Sequence, residues 1–150
     1  MENIMRKTGI TLVEILLAIV IISLLASAAV PMYRKVRVRA LMAKTEVLIS
    51  SIETALSMYQ TNFGDFPDFD EEGCSVLVEQ LQGPVDSRYW KGPYMRFKAG
   101  DVDEDNNVLD AWKTPLSYAY PQNSHPKIPY TLISAGPDRE FGTSDDIGNW

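Results

Sequence analysis

Ile10-Thr-Leu-Val-Glu14-Ile-Leu-Leu-Ala-Ile-Val-Ile-Ile-Ser-Leu-Leu-Ala-Ser-Ala-Ala-Val30 is the stretch on which the fold turns. As a helix it rises roughly 31 Å, about the thickness of a bilayer's hydrocarbon core. Glu14 is its only charged residue. A run of this length and purity is a membrane span, a cleaved signal, or each in turn.

The residues around it support two processing routes. Arg6 and Lys7 supply a basic n-region, and Ala26-Ser27-Ala28 is an A-x-A sequence. A cut after Ala28 would release a secreted domain. The apolar run is long for a disposable signal, however, and Glu14 lies inside it. A carboxylate in hydrocarbon costs about 2.5–3.5 kcal/mol on insertion scales. That penalty points to a cation with which Glu14 pairs.

Beyond the run, Pro31 removes one helical hydrogen bond and is expected to kink the helix rather than end it. Leu41, Leu48, Ile52, Ala55, Leu56, Tyr59 and Phe63 then recur at helical spacing and trace one apolar face. Lys44, Glu46, Ser50, Glu53 and Ser57 fall mainly elsewhere. A single helix from about Ile10 to Phe63 would be roughly 80 Å long, too long for one compact domain of 150 residues. Its first half should project and its second half pack against the rest. Gly64, Asp65 and Pro67 close it. Glu71 to Gln82 reads as a short amphipathic helix on Val76, Leu77 and Leu81. Strands are expected at Tyr94–Lys98, Leu116–Tyr120 and Tyr130–Ser134. The fold class is therefore α+β: a long N-terminal helix whose second half packs on a small antiparallel sheet.

Composition excludes several functions. With 45% hydrophobic and 23% charged residues the chain can build a core. A net charge of -6 argues against nucleic acid as a partner. The basic run Arg34, Lys35, Arg37 and Arg39 is local and reads as a headgroup-facing collar. Cys74 is the one cysteine, so no intrachain disulfide forms, and it reads as a buried thiol. His125 is the one histidine, and Ser124 beside it makes no triad. No phosphate-binding glycine loop is present. Trp90, Trp112 and Trp150 read as packing residues. Nothing in these residues composes an active site, and the chain is not expected to be an enzyme.

Lys7-Thr8-Gly9 followed by Ile10-Thr-Leu-Val-Glu14 and the apolar run resembles the class III signal of type IV pilins and pseudopilins. The resemblance implies a leader of residues 1–9, cut by a prepilin peptidase between Gly9 and Ile10, with methylation of the new N-terminus at Ile10. It makes residues 10–30 the transmembrane and filament-core helix and residues 31–150 a periplasmic head. Glu14 would then lie one turn from the new amine, able to pair with its own or a neighbour's, so that two buried charges are relieved together. The family most often has Phe where this chain has Ile10. A plain count of lysines and arginines conflicts with the implied orientation, since more lie behind the span than before it.

Ala55-Leu-Ser-Met-Tyr59, Gly64-Asp-Phe-Pro67, Trp90-Lys-Gly-Pro-Tyr94, Asp110-Ala-Trp-Lys-Thr-Pro115, Ser134-Ala-Gly-Pro-Asp138 and Asp145-Asp-Ile-Gly-Asn-Trp150 come in the order seen in the major pseudopilins of type II secretion systems. The Asp101–Asp110 segment and the Pro-rich Tyr120–Pro129 stretch depart from that pattern. The resemblance implies a homopolymer in the periplasm that drives protein export. Its partners would be copies of itself, minor pseudopilins, the prepilin peptidase, an inner-membrane assembly platform and membrane lipid. It also implies a structural Ca2+ in the C-terminal loop, held by Asp138, Asp145 and Asp146 with backbone carbonyls. Calcium takes six to eight oxygens, and a Gly/Ser/Thr-rich loop can turn its carbonyls inward around carboxylates. Asp101, Asp103 and Asp105 imitate the start of an EF-hand, but Asn106 and Trp112 stand where that loop needs Gly and Glu. This segment is either a solvated loop or a second calcium site. Two alternatives remain: an adhesive or motility type IV pilin, and a secreted calcium-binding domain released after Ala28.

Overall fold

A computed structural model describes residues 11–68, 73–122 and 124–150 of the chain. Helix α1 spans Leu12–Phe63, α2 spans Ser75–Gln82, and strands β1 (Ser117–Ala119), β2 (Thr131–Ser134) and β3 (Ile147–Gly148) follow. A one-turn 3-10 helix, Gly136–Asp138, lies between β2 and β3. The chain divides into two units between Arg37 and Val38.

In the first unit, α1 opens on a capping box. Thr11 precedes the first helical residue and Glu14 is third in the helix, and the two satisfy each other's free groups. The apolar stretch that follows is exposed throughout its described side chains, with Leu12 at 81% and Leu25 at 68%. It is long and apolar enough to cross a bilayer. Ser23 and Ser27 hide their hydroxyls by donating to the carbonyls of Ile19 and Leu24. This is how a polar side chain is carried at low cost in an apolar helix. The helix continues through Pro31.

In the second unit, residues of α1 after Val38 bury Thr45, Ile49, Ile52, Ala55, Leu56 and Tyr59. This is the expected face shifted slightly. Leu41 and Leu48 are only half-buried, while Ile49 and the polar Thr45 lie fully inside. Thr45 is tolerated because its hydroxyl accepts the Ala111 N–H at 3.3 Å. Against this face pack Leu77 and Leu81 of α2, Tyr118 of β1, Leu132 of β2 and Ile147 of β3, with Cys74, Val108, Leu116 and Tyr130 between them. Tyr59 stacks on Phe63 at 4.3 Å between centroids and meets Tyr94 edge-on.

The sheet is antiparallel in the order β1-β2-β3. Tyr118 lies opposite Leu132, and Ser134 opposite Ile147. Two expected strands thus form in shortened versions. The third expected strand, Tyr94–Lys98, does not join the sheet. Its Tyr94 and Met95 N–H groups donate to the Leu81 carbonyl at the end of α2, and Phe97 donates to the Gln82 side chain. The third strand is instead the two-residue β3, which is too short to show alternation in sequence. Helix α2 begins at Ser75, later than expected, after Gly73 and Cys74 in non-helical conformations. Glu71, where it was expected to begin, lies outside the described residues.

Candidate functional site: the N-terminal carboxylate and the C-terminal acidic loop

At the start of α1, Glu14 Oε2 accepts the Thr11 N–H at 2.8 Å and the Thr11 hydroxyl at 3.0 Å, and Thr11 Oγ1 accepts the Glu14 N–H at 3.3 Å. The carboxylate thus has a local job, capping the start of α1. The sequence reading missed this, although Thr11-x-x-Glu14 spells a capping box. Gly9 and Ile10, the expected cleavage and methylation positions, lie outside the described residues.

The C-terminal loop is held from both ends. Gly136, at φ 65°, is buried after β2, and a β-carbon there would stand 2.2 Å from the Asp145 carbonyl oxygen. Glycine is required by the backbone conformation and by this approach. The three expected ligands fall within the loop so closed. Asp138 Oδ1 accepts the Glu140 N–H at 2.9 Å, and the Asp138 N–H donates to Asp145 Oδ2 at 3.3 Å. Asp145 Oδ1 accepts the Thr143 hydroxyl at 2.6 Å, and this bond, more than any other, holds its carboxyl below the ordinary range. Asp146 Oδ2 accepts the Gly142 N–H at 2.8 Å.

Among the described residues, no three His, Cys, Asp or Glu side chains stand as a ready metal-binding group. Asp146 Oδ1 is nonetheless buried without a hydrogen-bond partner. A desolvated carboxylate oxygen without a donor is costly, and a cation is one thing that removes the cost. The donor set, carboxylates beside backbone carbonyls, is the hard-oxygen chemistry that suits calcium.

The Asp101–Asp110 segment is organised differently. Val102 bridges Val108, and Asp103 Oδ1 accepts the N–H groups of Asp105 and Asn107 at 3.0 and 2.7 Å. Asn107 carries the turn to the core, its side-chain oxygen accepting the Cys74 N–H at 3.0 Å. Asp110 is buried and accepts from Trp112 N, Thr114 N and the Ser134 hydroxyl, at 2.8, 2.9 and 2.6 Å. These side chains shape the backbone of the head. The sequence reading had grouped Asp110 with the acidic run and missed its structural role.

Trp150, expected as a packing residue, is 57% exposed and stacks on His125 at 4.5 Å between centroids. Trp90 lies against Gly83 and Gly92 and donates its indole N–H to the Gln80 carbonyl.

The family model for the type II secretion system, protein G, matches residues 34–150. The chain belongs to the type II secretion system protein G family. A prokaryotic N-terminal methylation motif matches residues 4–30 of this protein G family member. The type II secretion system core protein G of Vibrio cholerae is 29% identical over all of this chain and 96% of its own length. Core protein G of Escherichia coli K12 is 32% identical over 97% of this chain and 92% of its own length, and that of Aeromonas hydrophila 33% over 97% and 93%. A crystal structure of the major pseudopilin from the type 2 secretion system of enterohaemorrhagic Escherichia coli is 24% identical, with a TM-score of 0.48, over 79% of this chain and 92% of that one.

Proposed function

We propose that this chain is the filament subunit of a type II secretion pseudopilus, made as a precursor and stored in the inner membrane before assembly. The family match, which runs from within α1 through the whole head, carries the reading. The methylation motif and the exposed apolar half of α1 supply what such a subunit needs: a processed N-terminus, and a surface that lipid covers first and other copies cover later. Cleavage between Gly9 and Ile10 places a new amine one turn before Glu14. Pairing that amine with the Glu14 of a neighbour relieves two charges that are costly apart in hydrocarbon, so assembly is favoured over isolated subunits. The contact is head-to-tail and does not close, which makes a filament rather than a ring.

The head stands in the periplasm in this reading, tied at its C-terminus by one Ca2+ held by Asp138, Asp145 and Asp146. The buried, unpartnered Asp146 Oδ1 supports that assignment. The ion's work is structural: it stabilises the folded loop by mass action. Minor pseudopilins, the prepilin peptidase and an inner-membrane assembly platform are the further partners. The chain itself performs no catalysis, and energy for growth comes from elsewhere.

The deciding experiment is the intact mass and N-terminal residue of the mature protein from a membrane fraction. A chain that begins at methylated Ile10 is the expected result. A soluble chain that begins at Ala29 would replace the filament with a secreted domain.

A further inference from the structure

We propose that the turn of α1 just past the apolar stretch, Tyr33 with Arg34, Lys35 and Arg37, is a binding site for the anionic phosphate headgroups of the bilayer. It holds the unassembled subunit at a fixed depth and gives it a preference for anionic lipid. The inference rests on the membrane-stored subunit just proposed and adds the lipid class that this subunit recognises.

Axial position comes first. At 1.5 Å per residue, Arg34 stands about 6 Å and Arg37 about 10 Å beyond Val30, where the apolar stretch ends. The polar layer adds about 5–7 Å to each side of the hydrocarbon core. Helical side chains lean toward the helix N-terminus, here back toward the membrane, and the long stems of Arg and Lys extend that reach. The charged groups thereby come to the level of the lipid phosphates.

Direction around the helix groups the charges. Successive residues turn by about 100°, so Arg34, Lys35 and Arg37 leave the helix at about 0°, 100° and 300°, grouped within an arc of about 160°. All three are exposed. Their level, within the polar layer just past the apolar stretch, favours lipid phosphate over an acidic protein face. Tyr33, 68% exposed, adds an amphipathic ring of the kind that settles at the membrane interface.

Charge order completes the case. No acidic residue occurs between Ile15 and Thr45, whereas residues 46–150 are strongly acidic. An anionic surface repels the head and attracts this turn. The same placement accounts for the excess of basic residues on the far side of the span, which a plain charge count makes anomalous.

The test uses the full chain in nanodiscs of phosphatidylcholine with about 30% phosphatidylglycerol, comparing wild type with the combined Arg34→Gln, Lys35→Gln, Arg37→Gln variant. Lipids that remain bound are counted by native mass spectrometry. The wild type should enrich phosphatidylglycerol, and the variant, still resistant to carbonate extraction, should lose that preference by about fivefold or more. Equal enrichment in both proteins overturns the proposal. So does an equal loss in a control carrying Lys91→Gln, Arg96→Gln and Lys98→Gln, because net charge rather than this turn would then be responsible. Wild-type enrichment abolished by millimolar inorganic phosphate would make the site one for free phosphate and not for lipid. A chain that carbonate extracts refutes the membrane-stored subunit itself, and this proposal with it.

Discussion

Glu14 carries two demands on one carboxylate, and they are separable by substitution. Its hydrogen bonds with Thr11 cap α1, and its charge is proposed to pair with a neighbour's amine. Glu14→Gln keeps the capping geometry, since Gln serves in a capping box, but removes the charge. Glu14→Ala loses both the cap and the charge. If charge pairing drives assembly, the two variants should be cleaved normally yet lose filament yield alike, scored by shearing and immunoblot. Wild-type yield from Glu14→Gln would leave capping as the whole role. Asp65 offers a pH test in the head. Its carboxylate accepts the Tyr120 hydroxyl and the Phe66 N–H, and the tyrosine bond is the larger cause holding it below the ordinary value of 3.8. A depressed carboxyl stabilises the fold above its unfolded pKa, and this contribution is lost as pH falls through the folded value. Tyr120, raised chiefly by the same bond, mirrors this at alkaline pH: its share is present below about 10 and lost above its folded value. NMR titration of Tyr120→Phe should show the Asp65 midpoint returning upward, and an unchanged midpoint would remove the bond from the account.

At the scale of elements, the head is joined by side chains that bond to backbone across loops. Cys74, just before α2, has its Sγ accepting the Val108 N–H at 3.0 Å, and burial pushes its thiol up to about 12. A buried neutral thiol is a poor nucleophile. Native protein at pH 8 should therefore react with a thiol reagent only as fast as it unfolds, and prompt labelling without denaturant would show the α2 contact to be open. Asp110 ties the loop before β1 to the end of β2. Asp110→Ala leaves several donors short of an acceptor, each costing roughly 1–3 kcal/mol where water cannot reach it. The expected loss is about 3 kcal/mol in urea unfolding of the head. Asp105→Ala, at an exposed position of the same acidic run, should change stability by less than about 0.5 kcal/mol.

For the molecule as a whole, the calcium proposed for the C-terminal loop would set the largest conditional term. Binding at 100 times Kd contributes about 2.7 kcal/mol to the folded state. Asp146→Asn should remove this increment, read as the calcium-dependent part of Tm. In chelator the sign should reverse or vanish, because the substitution takes away a buried carboxylate oxygen that has no partner. An equal drop in Tm with and without calcium would take the ion out of the explanation.

The long apolar helix, its extension to Phe63, the strand regions around Tyr118 and Leu132, and the family were all legible in the chain. Each rests on local periodicity or on residues adjacent in sequence, which need no knowledge of what lies across the fold. The capping box at Thr11 was equally legible and was passed over. Other features were not written locally. Tyr94–Lys98 has strand composition, but its N–H groups find acceptors at the end of α2 before any strand can offer them. Two residues, Ile147 and Gly148, become β3 only because Ile133 and Ser134 stand beside them. Thr45 and Asp110 are polar residues whose burial depends on Ala111 and Ser134, which supply their partners from distant segments. Periodicity reports which face of an element is apolar; where a polar group ends up depends on the partner that tertiary packing brings to it.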